Sequence, residues 1–123
     1  MILRGIVRSG HGTASKVKGD MFAARCLAAD ANLVRGTLNV TMPDNAAAEE
    51  ALGEHDFETD TGRTRPPLRW WRVLLHTVVD LPEAKHFVVR HKNTQIAWFE
   101  IMSEVNFREA GVLDDDWIEV LRG

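Results

Sequence analysis

The sequence predicts a mainly β domain of the α+β class, a six-stranded antiparallel barrel with one early helix and a long middle loop. Three observations lead there. Six short segments are rich in β-branched and aromatic residues, turn-forming residues bound them, and the main stretch of helical period stands early in the chain. The regular strand–helix alternation of a doubly wound sheet is missing, so antiparallel closure is favoured. With 123 residues, 45% of them hydrophobic and 27% charged, the chain has the size and composition of one ordinary globular domain, and 1–123 reads as a single barrel.

The first strand is expected at 2–7, apolar and β-branched apart from Arg4 and Gly5, and it stops at Ser9-Gly10-His11-Gly12-Thr13, where two glycines open backbone conformations closed to other residues. A helix follows at about 18–31, where Met21, Phe22, Arg25, Cys26, Leu27 and several alanines suit a helical pattern with Asp20 near its first turn. Residues 33–42 form the second strand, ended by Pro43-Asp44-Asn45. Residues 46–52 suit a short helix, and the polar, glycine-containing 53–65 reads as an excursion, either an ordered cover for a ligand or a disordered loop. The strongest strand signal is 68–79, with Trp70 and Trp71, and it is placed centrally. Strands at 85–91 and 97–105, a one-turn helix at 106–111 with an Asn106 cap and a Gly111 stop, and a closing strand at 117–121 complete the series.

A net charge of -3 argues against a protein that grips nucleic acid by neutralising many phosphates, so nucleic acid is a disfavoured partner and a small molecule a favoured one. Cys26, the only cysteine, has no internal disulfide partner and reads as a packing residue, in keeping with a reducing, cytoplasmic setting. No apolar run approaches the roughly 20 residues of a membrane span. The opening Met1-Ile2-Leu3-Arg4-Gly5 is too quickly interrupted for a secretory signal, so neither membrane nor export is expected.

Two stretches carry possible chemistry. Thr37 and Asn39 lie two apart in a predicted strand, so a hydroxyl and an amide oxygen leave one face and can meet one cation. Mg²⁺ takes few protein ligands when phosphates complete its octahedron, although spacing alone describes the pair more simply as surface polar groups on an edge strand. The loop Ser9 to Lys16, with Lys18 beyond it, has glycines, hydroxyls and positive charge suited to phosphate, yet it has neither the G-x-x-x-x-G-K-[ST] nor the G-x-G-x-x-G order, and a tight strand-to-helix turn is the plainer reading.

A leading strand, a Ser-Gly-x-Gly loop and then Gly36-Thr37-Leu38-Asn39-Val40 after a helix resemble the archaeal CTP-dependent riboflavin kinases. Phe99-Glu100-Ile101, Val105-Asn106-Phe107-Arg108, Leu113 and Asp114-Asp115-Asp116 are similar to the closing segment of that family. The middle of the chain adds nothing to the likeness. Arg35 stands where the family usually has proline, and Ala14 where it has a third glycine.

The resemblance implies a six-stranded cradle-loop barrel that moves the γ-phosphate of CTP to the ribityl 5′-hydroxyl of riboflavin, yielding FMN and CDP with help from Mg²⁺, or a divergent relative acting on another small hydroxyl compound. It implies that Thr37 and Asn39 hold the metal, that Gly10, His11, Gly12, Thr13, Ala14 and Ser15 wrap the phosphates, that Val105, Asn106, Phe107 and Arg108 border the cytidine, and that Thr94 and Glu100 contact the flavin. Phosphoryl transfer is largely positioning and charge neutralisation, so no catalytic triad is required.

Other conspicuous residues have plainer readings. Adjacent Trp70 and Trp71 point to opposite faces of a strand, so at most one can stack on a ligand, and core packing is the simpler role. His76, His86 and His91 lack metal-ligand spacing, His11 can meet phosphate when protonated, and Asp114 to Asp116 suit a solvated turn. An alternative is a non-catalytic nucleotide- or single-strand-binding module, with a tryptophan and Arg63, Arg65, Arg69 and Arg72 as its surface. A partner-binding or structural domain is a third.

Overall fold

Alternation along residues 68–77 shows how this chain closes. Trp71, Val73 and Leu75 are buried on one side, while Arg72, Leu74 and His76 are exposed on the other, as a strand with one face on a core requires. The computed structural model describes residues 2–8, 19–60, 67–92 and 99–123. In chain order these contain β1 (Ile2–Arg8), α1 (Gly19–Ala29), β2 (Leu38–Thr41), α2 (Asn45–Leu52), β3 (Phe57–Thr59), β4 (Leu68–Thr77), β5 (His86–His91), β6 (Phe99–Ser103), α3 (Phe107–Ala110) and β7 (Trp117–Arg122). None of the described helices is long and apolar enough to cross a membrane.

Six strands form a closed ring in the order β4-β5-β6-β2-β1-β7, and β7 returns to β4. Every pairing is antiparallel. This is the expected barrel, with one strand added. β3 pairs with Leu68 to Trp70 of β4, where the strand runs past the end of β7, whose own pairing begins at Val73. The added strand lies inside the segment that the sequence marks as a loop; three residues beside a long strand carry too little pattern to show. It is clasped at Asp56, whose Oδ2 accepts from the Arg72 N–H and Arg122 Nη1, both at 2.7 Å, and whose Oδ1 accepts from Arg122 Nη2 at 2.9 Å. Burial alone would raise the Asp56 carboxyl, but these hydrogen bonds and the charges of both arginines hold it below its ordinary value.

The barrel is filled by Val7, Leu38, Val40, Trp71, Val73, Val88, Phe99, Ile101, Ile118 and Val120, all under 10% exposed. A second cluster lies on the outer face of β4, β5 and β6, where Trp70, Phe87, Val89 and Met102 pack with Ala29 and Leu33, and with Phe22 and Cys26 of α1. The two adjacent tryptophans therefore serve two cores. Trp71 donates to the Gly53 carbonyl at 3.0 Å inside, and Trp70 stacks on Phe57 and donates to the Thr59 hydroxyl at 2.8 Å outside. Cys26 packs against this outer cluster, as its sequence setting suggests.

Both short helices cover ends of the barrel. α2 begins at Asp44, whose side chain accepts from the Ala47 N–H, and sends Ala48 and Leu52 into the core. Its Glu49 meets Arg69 and Arg90, two arginines carried on neighbouring strands. α3 is capped by Asn106 and stopped by left-handed Gly111, both as expected, and inserts Phe107. One strand is shorter than its composition predicts. Residues 33–37 leave the sheet before β2, because the Val34 N–H bonds the Ser103 carbonyl at 2.8 Å and Gly36 turns the chain with φ of 93°. That left-handed turn needs glycine, and local propensity does not reveal it.

Candidate functional site

The Gly36 turn delivers Thr37 to the position just before β2, where its side chain reaches that of Asn39. The Thr37 hydroxyl donates to Asn39 Oδ1 at 3.5 Å, a long contact that brings two neutral oxygens together. Asn39 is 7% exposed. Across the sheet it stands opposite Arg8 of β1 and Glu100 of β6, so one row on the outer face of the barrel reads Arg8, Asn39, Glu100. Arg8 is tied to Asp115 in the turn before β7.

Thr37 also belongs to a cavity of about 140 Å³, whose wall is built by Val34 to Leu38 on one side, Ile101 and Ser103 behind, and Val105, Asn106, Phe107 and Arg108 on the other. The residues expected to hold a metal and those expected to border a nucleobase thus lie side by side, although nearly 70 positions separate them in the chain. The segment 105–108 is held rigidly. Asn106 Oδ1 accepts from the Glu109 N–H at 3.2 Å, and Arg108 donates to Asp114 at 2.5 Å and to the Val112 carbonyl at 3.3 Å. Asp114 to Asp116 form a hydrogen-bonded turn, with Asp116 accepting from the Leu113 N–H. A cavity near 150 Å³ holds one benzene-sized ring, so this recess, which is open on one side, has room for a single ring.

His86 and Ser103 form a buried polar pair at the back of the cavity. Ser103 Oγ accepts from the Val105 N–H at 2.9 Å and meets His86 Nδ1 at 2.6 Å. Burial pushes the His86 imidazole below its ordinary value, opposed by the charge of Glu104. Since the neutral ring is the form the fold prefers, its contribution is complete above the unfolded-state value of about 6.5 and is lost as pH falls toward the lower folded value. Stability should therefore decline between pH 7.5 and 5, by up to about 1.4 kcal/mol per pH unit. Urea midpoints at both pH values test this. A His86→Gln variant should have the shallower slope, and an unchanged slope would remove His86 as the cause.

α1 packs on the same outer face of the barrel, against β4, β5 and β6. Phe22, Arg25, Cys26 and Ala29 share its inward face, and the Arg35 guanidinium lies 4.6 Å from the centre of the Phe22 ring. Arg35, beside the Gly36 turn, is exposed and also lines the cavity. Arg25 is 8% exposed, and desolvation lowers its pKa while the Glu100 charge raises it. The helical pattern contains Arg25 without marking it as special. Its position three residues after Phe22 and four before Ala29 is the one available signal.

Among the described residues no group of three or more His, Cys, Asp or Glu side chains gathers as a self-sufficient metal cage. The donor set at Thr37 and Asn39 still fits a hard cation that shares its shell with phosphate. Thr37 Oγ1 and Asn39 Oδ1, 3.5 Å apart, are the two oxygens that would hold it.

The remaining assignments are placed as follows. Glu100 is half-buried on the row beside Asn39. Gly10, His11, Gly12, Thr13, Ala14, Ser15 and Thr94 lie outside the described residues, as do Lys16, Lys18, Arg63 and Arg65. Trp70 and Trp71 are 0% and 1% exposed, so neither ring offers a base a stacking platform. Arg69 is engaged with Glu49 and the His91 carbonyl, while Arg72 stands over Phe57. No protein family model matches this chain, and no curated protein sequence matches it.

Proposed function

We propose that this barrel is a Mg²⁺-assisted, CTP-using phosphotransferase of the riboflavin kinase type, or a divergent relative that phosphorylates another small hydroxyl compound. The observation that carries the reading is the meeting of Gly36 to Leu38 with Val105 to Arg108 around one cavity, with Thr37 in its wall and the Asn39 oxygen 3.5 Å from the Thr37 hydroxyl. The cytosine ring fits the cavity; its triphosphate then runs outward past Thr37. Bound Mg²⁺ would supply charge neutralisation of the β- and γ-phosphates. Thr37 and Asn39 fix where the phosphates sit, and α3 forms one wall of the cavity through Phe107 and Arg108. Glu100, opposite Asn39 in the row, would accept the hydrogen bond of a substrate hydroxyl. In the transfer, the acceptor oxygen bonds the γ-phosphorus, the bond to the β–γ bridging oxygen breaks, the hydroxyl proton is released, and CDP leaves.

Incubation of the protein with CTP, Mg²⁺ and riboflavin, read by FMN formation, tests the proposal. FMN should form with CTP and much less with ATP. Absence of FMN together with an unchanged melting temperature in CTP and Mg²⁺ would reject the reading, since a ligand bound only by the folded state must raise it.

A further inference from the structure

We infer that Arg25 is an anion-binding residue that engages the polyphosphate of the ligand at the Thr37–Asn39 site, an inference that rests on the nucleotide reading above. Arg25 occupies the inward face of α1 between Phe22 and Ala29, positions that bury apolar groups on the outer sheet. Beneath that face lie Val89 and Met102, and the residue flanked by both is Glu100: Val89 opposes it on β5 and Met102 follows it by two on β6. Glu100 in turn opposes Asn39. The guanidinium is therefore on the side of the sheet that carries Glu100, whose charge acts on it, and one strand away from Asn39.

An arginine in such a place needs partners. Arg25 is more than nine-tenths buried, its Nη2 reaches only the Met21 sulfur, a weak acceptor, at 4.0 Å, and its Nε has no hydrogen-bond partner among the described residues. Glu100 attracts it from a distance and is shared, because its charge also acts on Arg90. A buried guanidinium with open donors is costly unless a charged acceptor meets it. A phosphate does so with two parallel hydrogen bonds. Thr37 and Asn39 are neutral, so the ligand must bring the negative charge that both a cation and Arg25 require.

The experiment is calorimetric titration of wild type and Arg25→Met with CTP, CMP and inorganic tripolyphosphate, each with Mg²⁺, alongside ligand-free melting curves. Arg25→Met should weaken CTP and tripolyphosphate by about 10- to 100-fold, the loss of one or two charged hydrogen bonds, and change CMP by less than about threefold. Its ligand-free Tm should stay level or rise, because an unpaired buried charge is replaced by a hydrophobe. Equal CTP and tripolyphosphate affinity in variant and wild type, no binding of either by wild type, or a ligand-free Tm lowered by more than about 5 °C would each overturn the inference, the last marking a structural arginine. The two readings separate cleanly. Arg25-dependent tripolyphosphate binding that CTP does not exceed sinks the nucleotide reading and keeps the anion site, whereas FMN formation with unaltered CTP affinity in Arg25→Met does the reverse.

Discussion

Replacing Gly5 by Ala should destabilise the barrel by about 3 kcal/mol, the upper part of the usual range for overpacking a core. Gly5 lies on the inner face of β1, between Leu3 and Val7 and opposite Ile118 of β7. A Cβ there would stand 2.4 Å from Val40 Cγ1, 2.9 Å from the Thr41 carbonyl oxygen and 3.0 Å from the Met42 sulfur. The methionine can turn aside. Val40 is fully buried, and the Thr41 oxygen belongs to a strand paired with β1, so relief requires the two strands to part. A domain with about 5–15 kcal/mol in total would lose a large share of its stability. Urea unfolding at pH 7 measures it, and a loss under about 0.5 kcal/mol would show that β1 and β2 can separate at little cost. The same movement would shift Arg8 against Asn39, so the variant should also bind CTP less well at temperatures where it remains folded.

Asn39→Ala should lower kcat/KM for CTP-dependent phosphorylation by roughly 10²- to 10³-fold, the loss that follows when one positioned group stabilising phosphoryl charge is removed. Thr37→Val, which keeps the volume and removes the hydroxyl, should fall in the same direction. Neither change empties a large volume, and Tm should move by only a few degrees, since the 3.5 Å contact between the two side chains contributes little. Mg²⁺ titration separates a ligand from a spacer. If Asn39 holds the cation, the variant needs far more Mg²⁺ for half-maximal rate, while CTP binding measured without Mg²⁺ stays within a few-fold. Wild-type turnover in Asn39→Ala at low Mg²⁺ would dismiss the metal assignment.

Much of the fold was legible because its signals are local. All six barrel strands, the early helix, the Asn106 cap and the Gly111 stop follow from side-chain period and cap chemistry, which need only a few neighbouring residues. The opposed directions of Trp70 and Trp71 follow in the same way, and their burial was the simpler reading. Where local pattern and tertiary pairing disagreed, the pairing prevailed. Residues 33–37 have strand composition yet leave the sheet, because Val34 finds the Ser103 carbonyl across the barrel end. Phe57–Thr59 have little pattern and become β3, because β4 is longer than β7 and leaves an edge to be paired.

The candidate site divides along the same line. Sequence by itself paired Thr37 with Asn39 through the period of two of an expected strand, and although Thr37 stands just before β2, the contact between the two side chains brings them together. Only the closed barrel decided what surrounds them: the cavity that Thr37 forms with Val105 to Arg108, the placing of Glu100 opposite Asn39, and the burial of Arg25 within reach of the Glu100 charge. These depend on strand register and helix docking, which are set by contacts between residues far apart in the chain, and no short window of sequence contains them.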